Sequence, residues 1–423
     1  MSHLPGTLWR VLLIPGLLVL VAACATQART MDQASLDQRF VDHAGRALTQ
    51  RDQLANRLLL RLEYLHQKHT EAGLDEVPTL DVLLLSSGGQ YGAFGAGVLA
   101  GWREADVTDY EFPRFDIVTG ISTGAMIAPF AISGEAYSIQ RVSDIYRQAD
   151  KSLAELRGWF FFWPWHSSLY DTRVLRQRIE AELDEAIIAD VAQAHVSHRM
   201  LLIGAVDLDL GRFHIWDMGP VAAQARESGD LRRFHDAMIS SASIPGAFPP
   251  IEIDGVLYAD GAAAQPTFLG LDRAAITQVF RMYRQRNPQA EVPRMRMWMI
   301  VNGHVDAAVE LAEQRWASVA IRAAEVMSRY AVRTALRNMQ LGVELVSQDT
   351  GVPVEFRYLA VPSDVDLGVR EDRLFDRRLM QRLYDMGYML GRDPASWRTE
   401  AISPDIPGST IIPREVGFEP LFE

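Results

Sequence analysis

Ser122 and Asp260 are the two residues whose type and setting point most directly to chemistry. Ser122 stands in Gly120-Ile121-Ser122-Thr123-Gly124, the G-x-S-x-G pattern of a nucleophile elbow. An apolar, β-favouring run, Phe115–Thr119, precedes it, and a helix-compatible run from Ala125 follows. The segment therefore predicts strand, sharp turn and helix, with Ser122 at the apex. Gly120 and Gly124 tolerate strain and keep side chains off the hydroxyl. The helix start turns free N–H groups and a positive dipole end toward it. A serine alcohol needs a base to become a nucleophile, and Asp260-Gly261-Ala262 offers a carboxylate at the end of a strand, where it can reach a site. A third segment, Ser86-Ser87-Gly88-Gly89-Gln90-Tyr91-Gly92, joins a strand to a helix. Glycines there let backbone N–H groups approach a negatively charged oxygen.

These groups need elements to hold them. Asp81–Leu85 reads as a buried strand before the glycine loop and Ala93–Trp102 as a small-residue helix after it. Ile251–Ile253, the turn Asp254-Gly255 and Val256–Tyr258 read as a hairpin that runs into Asp260. Further strands are expected at Arg199–Val206, Arg212–Trp216, Arg294–Val301 and Val354–Val361. Helices are expected at about Ser35–Lys68, Ala136–Leu156, Asp171 or Thr172 to Ala186, Phe234–Ser243, Glu310–Leu345 and Asp372–Leu390. Strands alternating with helices predict an α/β fold, a three-layer sandwich with a mainly parallel central sheet. Gly95-Ala96-Gly97-Val98-Leu99-Ala100 fits a loose dinucleotide pattern but lies inside a helix, and no G-K-[ST] is present.

The net charge of -12 argues against a nucleic-acid partner and against attraction to anionic headgroups by charge alone. Val11–Ala23 is uncharged, too short to span a bilayer, and fits the apolar core of a secretory signal. Leu20-Val21-Ala22-Ala23-Cys24 resembles the bacterial lipobox, in which the cysteine is lipidated. Cys24 is the only cysteine, so no disulfide can form within the chain. Ala25 in place of aspartate then points to the outer membrane, facing the periplasm. The expected organisation is a signal peptide at 1–23, a helical stand-off segment at 24–79, a catalytic domain at 80–280 and an α/β extension at 281–423. Trp159-Phe160-Phe161-Phe162-Trp163-Pro164-Trp165 reads as an acyl-binding lid, a membrane-facing lip or a buried loop.

Taken in order, the three motifs resemble the patatin-like phospholipase family over about Leu80 to Phe280. Ser86–Gly92 matches its oxyanion loop, Gly120–Gly124 its elbow and Asp260–Ala262 its D-G-[AG] motif. Ala242-Ser243-Ile244-Pro245 and Phe248-Pro249-Pro250 resemble its approach to the aspartate. The resemblance implies a Ser122–Asp260 dyad that forms an acyl-enzyme, an oxyanion hole at Gly88 and Gly89, and motif glycines at Gly92, Gly120, Gly124 and Gly261. It implies a membrane lipid or other acyl ester as substrate, with no metal or cofactor. Two positions depart from the family: Ser87 replaces its first loop glycine, and Tyr91 replaces a common basic residue. Two other readings stay open. One is a Ser–His–Asp triad using His304; the other is a non-enzymatic, membrane-anchored lipid-binding or scaffold lipoprotein. His195, His198, His214 and His235 show no metal-ligand spacing.

Overall fold

The computed structural model describes residues 31–74, 77–108, 110–148, 155–156, 170–171, 173–363 and 376–399. The signal run, Cys24, the Trp159–Trp165 stretch and the tail from 400 lie outside the described residues. The chain opens with helix α1 (Gln33–Ala72), followed by β1 (Thr79–Leu85), α2 (Gly92–Arg103), β2 (Ile117–Ile121), α3 (Thr123–Ser133) and α4 (Ala136–Gln148). A two-residue antiparallel pair, β3 (Glu155–Leu156) and β4 (Tyr170–Asp171), precedes α5 (Arg173–Glu182) and α6 (Glu185–Val196). Next come β5 (Met200–Asp207), β6 (Arg212–Asp217), α7 (Met218–Ser228), α8 (Arg232–Ala242), β7 (Ile251–Ile253) and β8 (Val256–Asp260). The chain closes with α9 (Arg273–Arg286), β9 (Arg294–Val301), α10 (Trp316–Thr350), β10 (Val354–Ala360) and α11 (Arg377–Gly391).

One mixed sheet organises the body, in the order β10-β9-β1-β2-β5-β8-β7 with β6 on the far side of β5. Strands β10, β9, β1, β2 and β5 are parallel, and β6, β7 and β8 are antiparallel to their neighbours. Alternation along β1 shows why there are three layers. Leu83 and Leu85 face one core, with Phe94, Phe130 and Phe234 of α2, α3 and α8, while Leu80, Val82 and Leu84 face the other. That second core is filled by Leu54, Leu58 and Leu62 of α1, Phe280 of α9 and Leu336 of α10. The fold is thus the expected α/β sandwich with a mostly parallel sheet.

Several boundaries differ from the sequence reading. The helix expected at Ala136–Leu156 ends at Gln148 among the described residues, and Glu155–Leu156 pairs as a strand with Tyr170–Asp171. Tertiary pairing overrides helical propensity there. The single helix expected to end at Ala186 is two, because the Asp184 carboxylate accepts the N–H groups of Ala186 and Ile187 and starts a new helix. The helix expected from Glu310 starts at Trp316 and runs on to a left-handed cap at Gly351. Helices α7 and α9 are not foreseen in the sequence reading, although each has an aspartate N-cap, Asp217 and Asp272.

Candidate active site

The sheet topology brings Ser122 and Asp260 together. Along one side of β5 runs β6; along the other run first β2, as far as Ile121 opposite Gly204, and then β8, with Asp260 opposite Ala205. β8 therefore approaches β2 head-on, and its last residue arrives at the level of the turn that follows Ile121. Ser122 occupies that turn with φ 55° and ψ -123°, in the left-handed half of the map. A non-glycine residue held there stores on the order of 1–3 kcal/mol of strain. Side chains at Gly120 and Gly124 are excluded, since a Cβ at either would strike backbone, Gly124 O in one case and Leu85 O in the other.

Both side chains are sequestered: Ser122 is 4% exposed and Asp260 1%. The Asp260 carboxylate accepts the Ala262 N–H at Oδ1, 2.8 Å. Its Oδ2 is buried and has no partner at full hydrogen-bond geometry among the described residues. Burial pushes this carboxyl up to about 7, against a smaller pull downward from the Ser122 hydroxyl and the Ala262 N–H. An aspartate with that pKa is a far better base for an alcohol at neutral pH than an ordinary one. A Cβ on Gly261 would meet Gly204 O, so the residue after the aspartate stays small to let β8 close on β5.

The glycine loop completes the edge. The Ser86 N–H is bonded to Ile300 O and the Ser87 N–H to Pro266 O, so Ser87 sits where its N–H is already engaged. The N–H groups of Gly88 and Gly89 have no protein acceptor among the described residues. Gly89 lies at φ 55°, and a Cβ on Gly88 would run into Asn302. A Cβ on Gly92 would strike the Thr123 hydroxyl, which is bonded to the Tyr146 hydroxyl. Tyr91 is buried; the guanidinium of Arg329 lies 5.5 Å over its ring, so a cation from α10 stands beside the loop at the position where the charge is missing.

Three contributors were not singled out from sequence. Ser241 accepts the Ser122 N–H at 3.0 Å and donates to Gly204 O at 2.6 Å, pinning the elbow to β5. Asn302, at the end of β9, bonds Ser86 through both its backbone N–H (2.8 Å) and its side-chain amide (2.7 Å). Arg178 of α5 lines the pocket and has no carboxylate within ion-pair distance among the described residues, while its neighbour Glu182 is taken by Arg141. Ser241 precedes the noted Ala242–Pro245 segment, and Asn302-Gly303 marks a strand end, so both carried a faint signal.

The pocket has a cavity volume of about 110 Å³ and begins at Gly89, Ser122 and Thr123. Beyond them its wall is mostly apolar, built by Met126, Phe130, Val142, Ile179, Leu183 and Phe248, with Arg178 and Glu182 as its charged members. His304 is engaged elsewhere, its Nδ1 at 3.2 Å from Val361 O and its ring against Tyr91. His235 is bonded to Leu183 O, and burial pushes His214 down to about 4. Among the described residues no cluster of His, Cys, Asp and Glu could hold a metal.

The comparison with known families decides the class. Residues 83–271 match the model of the patatin-like phospholipases. The chain carries a patatin-like phospholipase domain. No curated protein matches the chain. A patatin-like domain supports lipid acyl hydrolase activity in general, and the matched span contains the glycines of the loop, the elbow and the aspartate. Asn302, Arg329 and α11 lie beyond that span. α11 crosses α2 so closely that a Cβ on Gly97 or Gly101 would enter its backbone at Tyr384 or Tyr388.

Proposed function

We propose that the patatin-like domain hydrolyses acyl esters of membrane lipid through a Ser122–Asp260 dyad. The observation that carries this reading is the fully buried Asp260 carboxyl at the level of a strained Ser122, whose hydroxyl acts on it. Asp260 takes the Ser122 proton as Oγ attacks the ester carbonyl carbon. The oxygen of the tetrahedral intermediate accepts the N–H groups of Gly88 and Gly89; one such donor is worth about 3–4 kcal/mol. Collapse breaks the bond to the alkoxy oxygen, which leaves with the proton from Asp260. Water then attacks the acyl-enzyme with Asp260 again as base and releases the fatty acid.

The apolar wall from Met126 to Phe248 suits the acyl chain. Arg178 offers a cation for a phosphate headgroup at the same pocket. Cys24 is the proposed lipid anchor, at the outer membrane facing the periplasm. Among the described residues no helix is long and apolar enough to cross a membrane.

Turnover of phospholipid, lysophospholipid, monoacylglycerol and a soluble short-chain ester by Ser122→Ala, Asp260→Asn and His304→Ala tests the reading. Loss in the first two with retention in the third is expected. Ester turnover that survives Ser122→Ala would overturn the dyad, and loss in His304→Ala would restore the triad.

A further inference from the structure

The catalytic edge carries a projection that rises above the sheet. After β9 the chain climbs along α10 as an extended strap before entering that helix at Trp316. Asp306 pairs with Arg333, Ala308 O accepts from Arg322, Glu310 pairs with Arg322, and Glu313 accepts from Ser318. Arg329 marks the level of the edge, since it donates to His304 O and covers Tyr91 of the glycine loop. Trp316 precedes it by 329 - 316 = 13 positions. At 1.5 Å per residue the helix therefore rises roughly 20 Å past the edge. No described residue from Trp316 to Ala331 is buried.

The apex is apolar. Val309 is 100% exposed, Leu311 98%, Trp316 87% and Ile321 72%. Charges interleave with them and pair within the projection: Glu313 with Arg315, and Arg322 with Glu310 and Glu325, which ties the strap to the helix.

α1 begins at the same edge. Arg39 pairs with Asp207 at the end of β5, and Arg61 pairs with Asp116 just before β2, so α1 descends from the catalytic edge to the opposite one. Its first turns expose Phe40 and Val41. The chain upstream of Met31 thus joins the body from the catalytic side. Cys24 lies 31 - 24 = 7 positions before Met31, within about 25 Å even when fully extended.

We infer that the strap and the first turns of α10 form a bilayer-docking element, which inserts Val309, Leu311, Trp316 and Ile321 at the boundary of headgroups and acyl chains. The inference rests on the proposed reading of the protein as an anchored hydrolase of membrane lipid. A bilayer fits better than a second copy of the chain. The three most exposed apolar side chains of the projection, Val309, Leu311 and Trp316, gather where the strap meets the start of the helix. Trp suits the water–lipid interface. With a net charge of -12, insertion rather than charge must supply the attraction. Docked this way, the element stands the mouth at Gly89 and Ser122 toward the membrane that holds the substrate.

The test uses the full chain with Cys24→Ser, which removes the anchor and the only cysteine, and Ser122→Ala, which removes turnover. An environment-sensitive fluorophore is placed at Leu311→Cys or, as a control at the opposite edge, at Gln289→Cys. Vesicles of phosphatidylcholine and phosphatidylglycerol carrying brominated acyl chains are then added. The inference expects a blue shift and quenching at 311 and neither at 289. An unchanged probe at 311 would overturn it, as would a shift at 311 that follows protein concentration without vesicles, which would assign the surface to a second copy. In the active Cys24→Ser chain, Leu311→Glu should lower turnover of vesicle lipid about tenfold and leave a soluble short-chain ester untouched. Equal loss on both substrates would overturn the docking role. No turnover of either by the parent chain would count against the hydrolase reading, whereas the fluorescence outcome is independent of catalysis.

Discussion

The two ends of the parallel strands bury carboxylates in opposite ways. At the end where the strands begin, Asp116 is 2% exposed and fully engaged: Arg61 Nε donates to Oδ1 and the Asp81 N–H to Oδ2, each at 2.6 Å. Asp81 beside it takes Arg296 twice at 2.8 Å and the Trp298 indole at 3.1 Å. At the end where the strands finish, Asp260 is just as buried, with one N–H on one oxygen and no charged partner on the other. Burial pushes both carboxyls up. A guanidinium opposes it at Asp116, but only a hydroxyl and an N–H oppose it at Asp260. In the proposed reading, the difference separates charges that hold the sheet together from a charge held ready to take a proton.

Substitutions at the two ends should therefore dissociate stability from activity. Ser122→Gly should abolish ester turnover, by about a thousandfold or more, yet raise stability by roughly 1 kcal/mol as the strained φ is relieved; calorimetry and turnover on one preparation check both. Arg61→Met strips the buried Asp116, whose carboxyl burial already pushes up, of its ion-pair partner, and should remove about 3–5 kcal/mol of stability. The folded fraction should keep its turnover, and a loss of turnover there would break the comparison.

Asp260→Asn sharpens it. The carboxyl is raised from 3.8 to about 7, so the folded state binds the proton more tightly than the unfolded one. Its stabilising contribution is full below about 4, declines between 4 and 7, and is gone above 7. The Asn variant should therefore melt higher than the parent at pH 8, by a few kcal/mol in stability, and show no gain below pH 4. Arg178→Gln should lower kcat/KM about tenfold for phospholipid and leave a neutral monoacylglycerol ester unchanged. Equal effects would remove Arg178 from headgroup recognition.

Much of the end that carries Ser122 and Asp260 was legible because its motifs are local. A G-x-S-x-G segment between a β run and a helix run, and an Asp-Gly hairpin leading into Asp260, each encode their own turn. The parallel sheet followed from alternation of strand and helix. What stayed hidden depends on distant pairing. Nothing local to Asn302 says that it will bond Ser86, 216 positions away, or that Ser241 will hold the elbow from 119 positions away. The buried ion pairs of the opposite end were equally silent, since Arg61 reads as a solvated helix residue until Asp116 is placed beside it. Helix α7 was missed although Asp217 caps its start and Gly229 its end, because Gly219-Pro220 interrupts the apolar pattern.

The central claim is that Asp260, with a pKa near 7, activates Ser122. The most direct test follows the rate of covalent labelling by a fluorophosphonate from pH 4 to pH 9, with mass spectrometry to locate the label. The account predicts label on Ser122, a rate that climbs with pH and levels off near about 7, and loss of labelling in Asp260→Asn. Label on another residue, a rate already level at about pH 4, or labelling that survives Asp260→Asn would contradict it.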